Sequence, residues 1–341
     1  DHCPFHVAGL MILKKPAQAP RNYMRQVTQR CGRLNELWPI FNKKLQDPQD
    51  LSNPAWVPAE DYVPERHVFH YALPSPGRMD DLVKLVTRAH ERPLDRSRPL
   101  WEALVVRGLA GGQWAFVWRL HHSVADGIAS RAVMGHLMDT QPDGGPTLAD
   151  AAMSGALPVT SGGYDRPTHL PGRIGRAVEG AVTALASAIK HAPEAAHVVS
   201  DVTPRPPGPL TGPLSGRRRW VYGTEHLALA KAAKRRHGTS LNDVILAAVA
   251  NGYRELLLSR GEETAGRSLR CVIPVSLRPA VDDHADNRLS AAWTDLPVGA
   301  MSPAERVHAI GASTRWQFHA GTPMVGAALI SLADHLVPGP V

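Results

Sequence analysis

"PLWEALVVRGLAGGQWAFVWRLHH", residues 99–122, is the stretch whose reading decides the fold. Two apolar runs flank Gly111-Gly112. Strand-forming runs broken by a short glycine turn read as a β-hairpin. Side chains alternate along a strand. Phe116, Trp118, Leu120 and His122 therefore share one face of the second strand, and Arg119 and His121 point the other way. The chain continues "RLHHSVADGIAS" (119–130), so the paired histidines stand where a strand runs out into a loop that carries Asp126-Gly127.

Strands and helices alternate outward from this hairpin. "FHVAGLMIL" (5–13) reads as a buried strand, "RNYMRQVTQRCGRL" (21–34) as a helix and "RHVFHYAL" (66–73) as a strand. The Pro and Trp of "NPAWVP" (53–58) mark an ordered loop. In "MDDLVKLVTRAHER" (79–92), Met79, Leu82, Val83, Val86 and Ala89 recur at helical spacing, opposite Lys84 and Arg88. From about 140 to 216, Pro and Gly dominate around one Ala-rich helix (173–192). The second half opens on a basic segment and continues into "TSLNDVILAAVANGYRELLLSRG" (239–261). Ser240 and Asp243 there form a capping box, and Gly261 supplies the stop. Its middle is apolar all round, which predicts a buried helix. "LRCVIPVSLRP" (269–279) reads as a buried strand, "LSAAWTDLPVG" (289–299) as another strand, and "SPAERVHAIGASTRWQF" as a last helix. The class is α/β. The expected division is an N-terminal lobe (1–140), a linker with one helix (141–216) and a C-terminal lobe (217–341).

The chain of 341 residues is 43% hydrophobic, enough for a sizeable core. Lys+Arg 38 against Asp+Glu 31 gives a net charge of +7. That balance fits a phosphate-bearing partner: nucleic acid, an anionic membrane or a phosphorylated cofactor. Cys3, Cys31 and Cys271 are odd in number and widely spaced, so neither a disulfide framework nor a zinc site is expected. Few cysteines point to a reducing, cytoplasmic setting. No apolar run is long enough for a membrane-spanning helix, and residues 1–13 lack the marks of a signal peptide.

Three readings of the histidine pair stand at this point. Adjacent histidines on a strand point to opposite faces and cannot reach one ion, which disfavours a metal. A plain strand end with a turn at Asp126-Gly127 is the second reading. The third is proton transfer: an imidazole titrates near ~6.5 and takes a proton from a hydroxyl at neutral pH. His122 follows Phe116, Trp118 and Leu120 on one face, so its ring would look into apolar space.

HHxxxDG, here His121-His122-Ser123-Val124-Ala125-Asp126-Gly127, resembles the signature of the CoA-dependent acyltransferase superfamily. "PLDRSRPLWE" (93–102), "SLNDVILAAV" (240–249), "VIPVSLRP" (272–279) and "LPVG" (296–299), with "NPAWVP" and "HVFHYALPSPG", look like the ordered motifs of bacterial wax ester synthase/diacylglycerol acyltransferases. The resemblance runs from near residue 5 to about 320. It implies two chloramphenicol-acetyltransferase-like lobes with mixed sheets flanked by helices, joined by a crossover, and a histidine in a tunnel between them. It also implies acyl-CoA as co-substrate with no permanently bound cofactor, and diacylglycerol or a long-chain alcohol as acceptor. A cytoplasmic enzyme in peripheral contact with a membrane or lipid droplet follows, with no role for nucleic acid. Two departures stand out. Asp286-Asn287 replaces the family's Gly-Asn, which weakens a role for Asn287. The family also continues past "LVPGPV", so the C-terminal lobe is expected to be incomplete. Other acceptors on the same fold, or a lipid-binding protein with a vestigial site, are the alternatives.

The expected roles follow. His122 is the general base and His121 is structural. Asp126 orients the loop through an ion pair, with Arg119 or Arg278 as candidate partners, and Gly127 supplies turn geometry. Asn242, in the first turn of the 240–258 helix, is the candidate oxyanion donor or an ordinary helix-start residue. Asp243 caps. Pro99, Leu100 and Trp101 line an acyl tunnel or anchor the hairpin. Ser276 and Arg278 steady the intermediate or the Asp126 loop. Arg217, Arg218, Arg219 and Lys234, Arg235, Arg236 receive CoA phosphates or form a solvated basic face. No metal is expected. Ser123 should diverge from His122, so direct transfer without an acyl-enzyme is expected.

Overall fold

The computed structural model describes residues 5–15, 23–47, 54–125, 130, 133–135, 137–138, 208, 210–213, 215–276 and 289–319. The hairpin is at the centre of a four-stranded sheet. β5 (Trp101–Leu109) and β6 (Gln113–His121) pair antiparallel across a 3-10 turn, Ala110–Gly112. β1 (His6–Lys14) adds antiparallel to β6, and β4 (Val68–Ala72) adds parallel to β5, giving the order β1-β6-β5-β4. The parallel pair needs a crossover. α3 (Met79–Glu91) supplies it, after the N-terminal helices α1 (Tyr23–Gly32) and α2 (Leu34–Leu37).

β5 and β6 are apolar on both faces because both faces are covered. On one, Leu82, Val86 and Ala89 of α3 pack on Leu104, Val106, Ala115 and Val117. On the other, Cys31, Leu34 and Phe41 meet Trp101, Phe116, Trp118 and Leu120. The alternation read from the sequence thus separates two cores. Where β5 bulges, between Val106 and Leu109, the backbone comes close to the turn ahead of α3. A Cβ on Gly77 (φ +74°) would fall 1.8 Å from the Gly108 carbonyl oxygen, so only glycine fits there.

Two expectations in this region are corrected. "NPAWVP" is a strand rather than a loop: β3 (Ala55–Pro58) pairs with β2 (Lys43–Gln46). β1 is an edge strand and not a buried one, with Ile12 exposed and Phe5 ahead of it exposed as well. Among the described residues only β6 flanks it in the sheet.

In the second half, α4 (Leu227–His237) leads into α5 (Leu241–Ser259), followed by β7 (Ser268–Ser276), β8 (Leu289–Pro297) and α6 (Pro303–His319). β7 and β8 form an antiparallel pair. Ala247 and Ala250 of α5 pack with Leu296 of β8 and with Val307 and Ile310 of α6. The expected all-round burial of α5 is overturned. Its partners lie on one side, and Ile245, Val249, Tyr253, Leu256 and Leu258 are exposed. β7 is likewise half-open, with Val272 exposed, because its only described strand neighbour is β8. The 173–192 helix and most of the 141–216 segment lie outside the described residues.

Candidate active site

β6 ends at His121, and the chain closes a turn immediately: the Val124 N–H donates to the His121 carbonyl at 2.9 Å. Val124 and Ala125 then bury themselves in the core that holds Trp118 and Leu120. The histidine pair is thereby fixed at both ends. The His121 N–H donates to the Leu100 carbonyl (2.9 Å) and the His122 N–H to the Phe5 carbonyl (2.7 Å). Both rings are half-buried.

The two side chains differ in what holds them. His121 Nδ1 accepts from the Ser123 N–H at 3.2 Å, and the Ser123 hydroxyl lies 2.7 Å from the same nitrogen. With Nδ1 accepting, the neutral ring carries its proton on Nε2. Burial lowers its pKa, helped by the positive charges that His6, Arg96 and His122 can carry. Ser123 thus meets His121, a contact that sequence reasoning missed. The i,i+2 spacing across a strand end was the available signal.

Arg119, on the α3 side, is 1% exposed and pairs with Glu102 at 2.6 Å, its cross-strand neighbour; it also donates to the Arg92 carbonyl. The expected partnership of Arg119 with Asp126 falls on a residue outside the described ones. Asp126, Gly127, Arg278 and Asn287 lie outside the described residues, as does the Ser276 side chain at the end of β7.

Beside Arg119, His6 and His90 meet edge to face with ring centroids 4.7 Å apart, and His6 Nε2 lies 2.8 Å from the His90 carbonyl. Burial pushes the His90 imidazole down to about 4, with His6 and Arg119 adding to the effect. The sequence reading did not single out this cluster.

Within Pro99-Leu100-Trp101, the tryptophan packs in the core. Trp101 is fully buried, donates through Nε1 to the Phe41 carbonyl at 2.8 Å, and stacks between Trp118 (5.0 Å) and His67 (4.7 Å). Such ring pairs add about 0.5–1.5 kcal/mol each beyond their buried area.

At the start of α5 the capping box is formed. The Ser240 hydroxyl accepts from the Asp243 N–H (3.1 Å), and the Asp243 carboxylate accepts from the Ser240 N–H (2.8 Å). Asp243, 3% exposed, also accepts from the Thr314 hydroxyl of α6 at 2.7 Å. It caps and cross-ties. Asn242, on the same turn, is exposed.

The basic candidates part company. The Arg218 N–H donates to Glu91 of α3 (2.9 Å), its guanidinium donates to the Ser215 and Arg217 carbonyls, and Trp220 packs on the α3 core. This segment lies on the sheet face away from Trp118 and Leu120. Arg217 and Arg219 are exposed, and Lys234, Arg235 and Arg236 occupy the exposed last turn of α4, where cations complement the helix dipole. Among the described residues no group of three or more His, Cys, Asp or Glu could hold a metal. No helix there is long and apolar enough to cross a membrane.

Residues 1–245 match the family model described as the wax ester synthase/diacylglycerol acyltransferase catalytic domain. The tgs1 protein of Mycobacterium tuberculosis (strain ATCC 25618 / H37Rv), named "Probable diacyglycerol O-acyltransferase", is 31% identical over 340 residues, which is 98% of this chain and 71% of that protein. Among solved structures, the wax ester synthase/diacylglycerol acyltransferase from Marinobacter aquaeolei VT8 superposes with a TM-score of 0.63 at 24% identity, covering 98% of this chain and 74% of that one. TRI101 of F. sporotrichioides, solved with coenzyme A and T-2, shares the fold alone: TM-score 0.59 at 10% identity, over 99% of this chain and 75% of that one. A mixed α/β fold, the His121-His122 pair at the end of a central strand and these matches together establish that the chain belongs to the wax ester synthase/diacylglycerol acyltransferase family and is an acyltransferase of that type.

Proposed function

We propose that the protein moves a long-chain acyl group from acyl-CoA to diacylglycerol or a long-chain alcohol, with His122 as general base. The imidazole takes the acceptor's hydroxyl proton as that oxygen attacks the thioester carbonyl. A tetrahedral oxyanion forms, the C–S bond breaks, and the protonated ring returns its proton to the CoA thiolate. The products are an ester and free CoA. The observation that carries this reading is the asymmetry of the histidine pair. Nδ1 of His121 is taken up by Ser123, and strand alternation assigns His122 to the face of Trp118 and Leu120.

Asn242 is the proposed oxyanion donor, since the first turn of α5 favours negative charge. Asp126 orients the loop. The finer architecture belongs to the same proposal: two chloramphenicol-acetyltransferase-like lobes, 1–140 and 217–341, joined by a crossover, with acyl-CoA as a co-substrate that leaves after each turnover. CoA phosphates and an anionic lipid surface are the proposed partners of the exposed cations at 217–219 and 234–236, giving peripheral, salt-sensitive membrane contact.

Radiolabelled palmitoyl-CoA offered with diacylglycerol, with hexadecanol and with no acceptor tests the reaction through the labelled products. His122→Ala should lower turnover at least ~10²-fold, the low end for a general base, with the fold intact. Near wild-type turnover in that folded variant excludes the mechanism.

A further inference from the structure

α1 does not seal the end of the sheet remote from His122. A partly open cavity of about 110 Å³ remains there, walled by Leu13, Val27, Phe116, Leu137 and Met138, with Cys31 at its base. Lys14 and Arg30 are its charged lining residues, both cations, and Arg30 also donates to the Leu137 carbonyl at 3.4 Å.

Phe116 is on the same sheet face as Trp118 and Leu120, the face that strand alternation assigns to His122. Trp118 and Trp101, each at most 2% exposed and stacked at 5.0 Å, stand between. From Trp114 to His122 the strand runs about 26 Å at ~3.3 Å per residue. A chain bound at His122 cannot reach the cavity without displacing that stack.

Size and charge together define the occupant. An apolar cavity of roughly 150 Å³ holds a benzene-sized guest, so this one encloses the last few carbons of a chain. The rest must lie in the mouth, beside two positive charges. We propose that the cavity binds a medium-chain aliphatic carboxylate, tail against Val27, Phe116 and Leu137 and head at Lys14 and Arg30, as a site separate from His122.

Cys31 gives a local readout. Its thiol is fully buried and burial pushes its pKa up to about 12, so a thiol reagent reaches it only when the cavity opens. The full chain is alkylated with iodoacetamide in the presence of octanoate, acetate or 1-octanol, and the Cys31 and Cys271 peptides are quantified separately by mass spectrometry. Octanoate should slow labelling of Cys31 at least fivefold and leave Cys271 unchanged. Acetate, with no tail, should not protect, and 1-octanol should protect far less. Val27→Phe, which fills the cavity, and Lys14→Glu, which reverses charge at the mouth, should both lose the protection while acyl transfer continues. Lys14 is exposed, so its variant reports even where the filled one fails to fold. Unchanged Cys31 labelling with octanoate, or full protection persisting in Lys14→Glu, overturns the site. Equal protection by octanol overturns the carboxylate. None of these outcomes touches the His122 mechanism, whose failure would show only in transfer.

Discussion

At the scale of single residues, the HHxxxDG string divides its labour. Ser123 on His121 Nδ1 has the look of a nucleophile and its base, yet both belong to one tight turn, and the Ser123 N–H donates to the same nitrogen. Ser123→Ala should therefore leave turnover within a few-fold of wild type. Intact-mass measurement with palmitoyl-CoA and no acceptor should find no acylated protein; an acyl adduct lost in Ser123→Ala would replace direct transfer with a covalent route. Trp101 is the contrasting residue. It holds Phe41, His67 and Trp118 together. Trp101→Ala should cost about 3–5 kcal/mol, read as a lower denaturation midpoint.

At the scale of elements, the first turn of α5 places two adjacent side chains in opposite settings. Asp243 is buried, closes the capping box and accepts from Thr314 on α6. Asn242 is exposed on the same turn. Asp243→Ala removes a cap and strands a buried hydroxyl, so it should lose roughly 2–4 kcal/mol of stability. Asn242→Ala should leave stability near wild type while turnover falls and acyl-CoA affinity holds, because an oxyanion donor acts in the transition state. Denaturant titration beside steady-state kinetics separates them; if Asn242→Ala loses affinity and turnover equally, the residue is a helix-start residue only.

At the scale of the whole molecule, His6, His67, His70, His90 and His121 all have lowered pKa values, with burial as the largest cause in each. The folded state then holds these rings neutral where the unfolded chain would protonate them. Between the unfolded value near 6.5 and the folded value of about 4 for His90, the unfolded state binds more protons. Stability is complete above pH ~6.5 and falls as pH drops toward 4. Thermal melts from pH 7.5 to 4.5 should show a falling Tm, and His90→Gln should flatten part of the slope. A Tm flat across that range would mean the rings are solvated in the folded protein.

The hairpin, the alternation along β6, the amphipathic α3 and the α5 capping box were legible in the chain because each rests on local chemistry: periodicity, turn glycines and side-chain caps. The same local pattern named the family and put His122 at a strand end. Burial was not legible in this way. The apolar middle of α5 and the apolar run of β1 were read as buried, yet whether an apolar side chain is covered depends on what packs over it, and only the tertiary arrangement shows that. Pairing across long separations was equally hidden. Nothing near Arg119 announces Glu102 as its partner until the strand register sets them side by side. Nor does any motif bring His6 onto His90, 84 residues away. The sequence by itself determined the elements that carry local signals, such as the hairpin, α3 and the start of α5, and the chemistry carried at their ends. Tertiary structure alone decided which faces are covered and which distant charges meet, because those depend on contacts between segments that carry no local signal for one another.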